Sequence, residues 1–366
     1  MILKLTKHSP WVKALLPIIA CVFVGRSQEL PKEIDSFVQG FEEKQEFNGT
    51  ILVAKNGQVL FQKGYGFSNV ADKTENEVAT KFSIGSLTKS FMACAIMQQI
   101  EKGTLDLHAP IRNYIPELRD DLGKLTLHHL LKNSSGLPVH LNRLTTLEYR
   151  DISSKELIQL YNEKAELSME PGSSYSYSNL NYQLAALVLE KVSGISYEQY
   201  MNDKIFKPLK MHSSGIERTH KFPSDKAKGH QVENGEIIPA QRNFMAYAKG
   251  GGDMYTTVLD LLKWDQALYT DDFISEEAKE KLFDGTPGIY GGYGYGFKIK
   301  YYKRHSDSRP EGKLVRHGGS MYGYVCNLHR YIDDEITIII LGNIRPYPIM
   351  EITEGIESIL FKYHYL

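Results

Sequence analysis

Hydrophobic spacing changes period twice along this chain, and the changes divide it into elements. Residues 49–55 (GTILVAK) and 58–67 (QVLFQKGYGF) are strand-like runs on either side of Asn56-Gly57, a pair suited to the positive φ angles of a two-residue hairpin turn. From Ser86 to Ile100 apolar residues recur three and four apart, with Phe91, Cys94 and Ala95 among them, and Gly103 follows as a residue able to end a helix. Residues 104–240 then alternate short helical patterns with loops: 128–136 (HHLLKNSSG), 154–163 (SKELIQLYNE), 181–194 (NYQLAALVLEKVSG) and 196–209 (SYEQYMNDKIFKPL). Strand patterns return at 293–302 (YGYGFKIKYY), 312–319 (GKLVRHGG), 322–332 (YGYVCNLHRYI) and 336–343 (ITIIILGN), the last two joined by Asp333-Asp334-Glu335. The final stretch, IMEITEGIESILFKY, has the spacing of an amphipathic helix.

Strands at both ends and helices between them predict an α+β fold, since a parallel sheet would need strands and helices to alternate. The expected plan is an antiparallel sheet flanked by N- and C-terminal helices, with a mainly helical lobe at roughly 104–240 inserted. A cleft between sheet and lobe is the natural place for a ligand. A length of 366 residues fits about two domains, or one large domain with such an insertion.

The first 27 residues read as a targeting segment. Lys4, Lys7 and Lys13 precede an apolar run at 14–25 (ALLPIIACVFVG), short of the roughly 20 residues that cross a bilayer and suited to a signal-peptide core. Gly25 and Ser27 are the small residues at −3 and −1 of a cut before Gln28. Ile18-Ile19-Ala20-Cys21 offers a second route, a lipoprotein box leaving a lipid anchor on Cys21, and an uncleaved buried helix is a third. The expectation is an exported protein, periplasmic or secreted, with no transmembrane helix in the mature chain.

Charge narrows the function classes. Lys and Arg total 43 against 44 Asp and Glu, so the basic excess of a nucleic-acid binder is missing. Beyond the leader only Cys94 and Cys326 remain, in apolar surroundings that suit small buried side chains better than a disulfide. His128 and His129 are adjacent on a helical pattern and cannot both face one metal. No metal or cofactor is expected.

Three groups of residues carry candidate chemistry. Ser86-Leu87-Thr88-Lys89 opens a helical pattern, and residues three apart share a helix face, so the Ser86 hydroxyl and Lys89 amine can meet. A serine hydroxyl needs a base to become a nucleophile, and lysine serves only when burial or nearby charge lowers its pKa. The spacing alone is commonplace, and taken by itself it is better explained by a solvated helix start with Lys89 in water. Tyr177-Ser178-Asn179 follows the turn-rich Pro171-Gly172-Ser173-Ser174. There a phenol can exchange protons and a carboxamide can hold a substrate amide; the other Tyr-x-Asn, at 200–202, lies within a helical pattern. His317-Gly318-Gly319 ends a strand pattern next to Ser320, and its glycines permit close backbone approach. The rival triplets at 55–57 and 249–251 sit at a hairpin tip and in a glycine-rich loop. Arg316 is placed by strand alternation on the face opposite His317.

Together these groups resemble the serine β-lactamase and penicillin-binding-protein superfamily, in its class-C-like branch, which carries Ser-x-x-Lys, Tyr-x-Asn and a Lys/His-x-Gly triplet in this order. FSIGSLTKSF, LLKNSSGLP, PGSSYSYSNLNY, FKPLKM, GGGDMYTTVLDLLKW and YGYGF are similar to that family too, over about residues 45–345. The resemblance implies a serine hydrolase domain over 28–366. It implies Ser86 as an acylated nucleophile, Lys89 and Tyr177 sharing the proton transfers, and Asn179, His317 and Gly319 binding substrate. The backbone N–H groups of Ser86 and Ser320 would stabilise the oxyanion. His317 stands where class C β-lactamases usually carry lysine. A mostly neutral imidazole lacks the permanent cation suited to a β-lactam carboxylate, so a peptidase or esterase acting on a small or cell-wall-derived substrate ranks ahead of a β-lactamase. A non-catalytic module that binds cell-wall fragments is the alternative of another class.

Overall fold

The central strands of the main sheet are apolar on both sides because both sides are covered. The computed structural model describes residues 29–366 apart from 221 and 222, so the leader, its cut site and the Cys21 box lie outside the described residues. Helix α1 runs through 29–43. The hairpin follows as β1 (Gly49–Lys55) and β2 (Gln58–Tyr65), with Asn56 and Gly57 at φ values of 49° and 72°, as its turn demands. The chain then leaves the sheet for helices α2 (Thr88–Glu101) and α3 (Asn179–Ser193). It returns in β3 (Lys298–Lys303), β4 (Glu311–Met321), β5 (Tyr324–Tyr331) and β6 (Ile336–Gly342), and closes with α4 (Ile349–Lys362).

The sheet order is β3-β4-β5-β6-β1-β2, antiparallel throughout. Pairing of β1 with β6, Ile51 opposite Ile340, joins the two ends of the described chain. Alternation then sorts the side chains. Ile51, Val53, Ile338 and Ile340 pack with Leu30, Ile34, Val38, Ile352 and Ile356 of α1 and α4. Leu52, Ala54, Ile339 and Leu341 pack with α2 and the other helices. The result is three layers, with α1 and α4 on one face of the sheet and the inserted segment on the other. Helix α2 is buried almost all round, from Thr88 to Met97, as expected of an element enclosed by its neighbours.

Several boundaries differ from the sequence expectations. Residues 293–297 are not strand; β3 begins at Lys298, and Gly296, at φ 73°, lies so close to α2 that a Cβ there would come within 2.5 Å of the Lys89 carbonyl oxygen. The stretch at 128–136 holds only a short helix, Leu127–Leu131. The segment at 196–209 is a helical turn, Tyr197–Tyr200, continued as a wider turn over Met201–Phe206. Short strands occupy Gly215–Ile216, His230–Glu233 and Glu236–Pro239, while further helices follow at Val258–Ala267 and Glu276–Leu282. Among the described residues no helix is long and apolar enough to cross a membrane.

Candidate active site

Ser86 sits in a tight turn, Gly85–Leu87, immediately before α2. Gly85 takes φ 49°, a conformation open to glycine at little cost, and this aims Ser86 towards the end of β4. Strand β4 pairs with β3 only as far as Arg316 opposite Lys298. Among the described residues, its outer edge from His317 to Met321 has no strand partner in the sheet, and it runs against the serine turn. The approach is backbone to backbone: a Cβ on Gly319 would lie 1.8 Å from the Ile84 carbonyl oxygen and 2.9 Å from the Ser86 nitrogen. A Cβ on Gly85 would lie 3.0 Å from the Ser320 nitrogen. The two amides assigned to an oxyanion site therefore belong to segments in direct contact.

Lys89 is fully buried one helical turn on from Ser86. Its Nζ donates to Asn179 Oδ1 at 2.5 Å and to the Gly251 carbonyl at 2.6 Å, and meets Ser86 Oγ at 3.2 Å. The rings of Tyr177 and Tyr182 lie 5.0 and 5.5 Å from the nitrogen. Loss of hydration pulls the ammonium down to about 7, opposed by the negative charge of Asp253. Asp253, also fully buried, is held by the Tyr197 hydroxyl, the Gly250 amide and the Arg218 guanidinium.

Tyr177 ends the loop before α3, and Ser178 caps that helix by accepting from the Leu180 amide. The helix thus begins at Asn179, two residues earlier than the apolar spacing indicated. The loop is fixed from below by Asn133, whose backbone carbonyl accepts from the Ser176 amide and whose side chain accepts from the Ser178 amide. Burial raises the Tyr177 phenol above its ordinary range, while a hydrogen bond with the Ser86 side chain lowers it in part. The phenol stays protonated near neutrality, and serine, amine and phenol meet at one point.

His317 is buried on the inner face of β4. Its Nδ1 lies 2.6 Å from the Gly318 carbonyl oxygen and its Nε2 3.1 Å from the Tyr293 hydroxyl. The carbonyl can only accept, so Nδ1 carries the proton and Nε2 accepts from Tyr293. Burial, then the charge of Lys89, holds the ring down to about 3, so it is neutral across the ordinary assay range.

Two cavities share Ser86 and Ser320. One, of about 460 Å³, runs past Tyr177 and His317 to Lys298 and Arg316. The other, of about 420 Å³, runs past Asn179 and His140 to Phe244 and Tyr247. The sequence reading did not single out His140, whose Nδ1 lies 2.8 Å from Asn179 Nδ2 and fixes that carboxamide with its oxygen towards Lys89. Nor did it give a role to Tyr293 or the Gly251 carbonyl; the loop at 249–251 entered only as a rival triplet and, with 293–297, as a stretch similar to the family. Tyr200 stays outside the site, hydrogen-bonded to Gln99 within the helical layer. Cys94 and Cys326 are buried and unbridged, and among the described residues no group of three potential ligands could hold a metal ion.

Comparison with known proteins agrees with this arrangement. The family model described as Beta-lactamase matches residues 34–353. Penicillin-binding protein 4* of Bacillus subtilis (strain 168) is 29% identical over 334 residues, 86% of this chain and 72% of that protein. The octameric penicillin-binding protein homologue from Pyrococcus abyssi shares 30% identity at a TM-score of 0.75, covering 90% of this chain and 76% of its own. A D-amino acid amidase from Ochrobactrum anthropi SV3, with 20% identity and a TM-score of 0.75 over 91% of this chain and 98% of its own, shares the fold. The match over most of the chain, on this fold, means that the protein belongs to the Beta-lactamase family of serine hydrolases.

Proposed function

We propose that this protein is an exported serine hydrolase that cleaves a small amide, peptide or ester through an acyl-enzyme on Ser86. The observation that carries the reading is the hydrogen bonding of Lys89. Nζ donates to Asn179 Oδ1 and the Gly251 carbonyl and lies 3.2 Å from Ser86 Oγ. The first two partners can only accept, so once the amine loses a proton its two N–H bonds stay on them and its lone pair is left for the Ser86 proton.

In the proposed cycle Lys89 removes the Ser86 proton as Oγ bonds to the substrate carbonyl carbon. The Ser86 and Ser320 amides hold the resulting oxyanion, a contribution of about 3–4 kcal/mol per donor. The bond to the leaving atom then breaks, and that atom takes the Tyr177 proton. The tyrosinate is stabilised by the Lys89 ammonium beside its ring. In deacylation water attacks the ester carbonyl while giving a proton to Tyr177. Ser86 departs with the proton from Lys89, which restores the starting state. Asn179 and Gly319 shape the substrate path, and neutral His317 orients the strand edge through Tyr293 without supplying a cation. A peptidase or esterase therefore stands ahead of a class C-type β-lactamase. The Lys4–Lys13 cluster and apolar run support export.

The test is covalent labelling of purified protein with a fluorophosphonate and with a fluorescent penicillin, followed by intact mass. Wild type gains one adduct and Ser86→Ala none. Absence of labelling under both probes overturns the reading, and muropeptide binding without turnover of any ester, amide or lactam favours the non-catalytic module. Nitrocefin turnover at rates matching the best ester would restore the β-lactamase reading.

A further inference from the structure

We infer that His140 is a positioning residue acting through Asn179: its neutral ring keeps the carboxamide oxygen on Lys89, and a proton on the ring undoes that arrangement. The inference rests on the serine hydrolase reading above. The segment 138–140 is fastened to the start of α3 by three consecutive residues. The Pro138 carbonyl accepts from the Ser178 hydroxyl at 2.6 Å, the Val139 carbonyl accepts from the Asn179 amide at 2.9 Å, and His140 Nδ1 lies 2.8 Å from Asn179 Nδ2. The ring is therefore held in a fixed place beside the carboxamide. An amide NH2 can only donate, so Nδ1 accepts and the ring proton sits on Nε2. The other end of the same carboxamide, Oδ1, accepts from Lys89 Nζ at 2.5 Å.

A proton on Nδ1 leaves no orientation of the carboxamide that serves both ends. As it stands, two donors would meet at His140. Turned over, Oδ1 accepts from the ring, but the NH2 then faces Lys89. An ammonium loses an acceptor there, and a neutral amine has its lone pair taken by the NH2 in competition with the Ser86 hydroxyl. Either way the base is weakened. The surroundings keep the ring neutral in the working enzyme. Loss of hydration, then the positive charges of Lys89 on α2 and Arg143 on its own turn, hold its pKa below the ordinary imidazole value. Arg345 lines the same cavity, Tyr247 and Tyr322 are the other titratable groups there, and no carboxylate is among the described residues that line it. The ring opens onto this cavity, so solvent protons reach it. Its proton arrives at lower pH than the one on Lys89, and adds a second loss of activity to the first.

The experiment measures kcat/KM for 4-nitrophenyl acetate from about pH 4.5 to 9, which reports titrations of the free enzyme. For the wild type the acid side of the logarithmic profile should steepen below about pH 6, by about one unit of slope, as His140 takes its proton. His140→Gln keeps an acceptor for Asn179 but cannot be protonated, so the steep part should vanish. His140→Leu offers no acceptor and should lose about tenfold in kcat/KM at about pH 8. His140→Gln should recover most of that loss, which a merely structural role for the imidazole would not allow. A profile whose acid slope His140→Gln leaves unchanged overturns the inference, as does His140→Leu within about twofold of wild type at about pH 8. Both results leave the hydrolase reading intact provided the wild type takes a fluorophosphonate on Ser86. Failure of the wild type to turn over the ester, with no fluorophosphonate adduct, overturns both. If His140→Leu misfolds by circular dichroism, the slope in His140→Gln decides alone.

Discussion

At the scale of single residues, the chemistry depends on keeping one amine neutral at neutral pH. Burial lowers the affinity of Lys89 for its proton, and the neutral form is the one that can accept from Ser86. Activity should therefore rise with pH through an acid limb near 7, where Lys89 and its buried charge partner Asp253, whose carboxyl burial pushes up to about 7, titrate as a coupled pair. His317, held near 3, contributes no limb in that range. Asn179→Asp puts a carboxylate where a neutral oxygen now sits 2.5 Å from Nζ, which favours the ammonium. We expect the limb to move to higher pH by at least about one unit, and kcat/KM at pH 7 to fall about tenfold or more. A pH profile of ester hydrolysis decides this, and a limb unmoved by Asn179→Asp would count against Lys89 as the group that sets it. Five of these side chains, Ser86, Lys89, Tyr177, Asn179 and His317, could be named from their spacing and the family resemblance. His140, Tyr293 and Asp253 could not, because each acts through a contact with a distant segment.

Among the secondary-structure elements, the decisive one is β4, and its decisive position is Gly319. A side chain there meets the Ile84 carbonyl, backbone that cannot rotate away. Gly319→Ala should push the serine turn from the strand and separate the two oxyanion amides. A displacement of this size costs about a hundredfold in kcat/KM, while circular dichroism should report an intact sheet. Gly40→Ala, where nothing lies within 4 Å, is the control and should be neutral or slightly stabilising. Near-normal turnover by Gly319→Ala would show that the turn tolerates movement. Periodicity located this strand, the hairpin and α2, since each buries a regular stripe or both faces. It misplaced 293–297, where an aromatic- and glycine-rich run resembles strand but is used to pack against the Lys89 backbone.

Over the whole molecule, the sheet and the helical layer are tied by a buried ion pair. Arg330 of β5 donates to Asp265 of the helix Val258–Ala267 at 2.5 Å, both side chains are fully buried, and Thr337 of β6 donates to the same carboxylate at 2.7 Å. Removing one partner strands a buried charge. Asp265→Ala should lower stability by about 3–5 kcal/mol, and the double replacement Asp265→Leu with Arg330→Met should recover most of it. Urea unfolding followed at constant slope measures both, and a loss below about 1 kcal/mol would place the pair in a much wetter setting than its burial indicates.

Local pattern by itself determined the α+β plan, the hairpin, the long buried helix and the residue types able to form an acyl-enzyme. These depend on spacing along the chain, and hydrophobic burial reads spacing directly. The tertiary structure alone decided that Lys89 is buried rather than hydrated. It also brought Arg316, sent by strand alternation to the far face, back to the site around an open sheet edge. Such properties arise where segments separated by scores of residues exclude water together, and desolvation and charge have no local signature in the sequence.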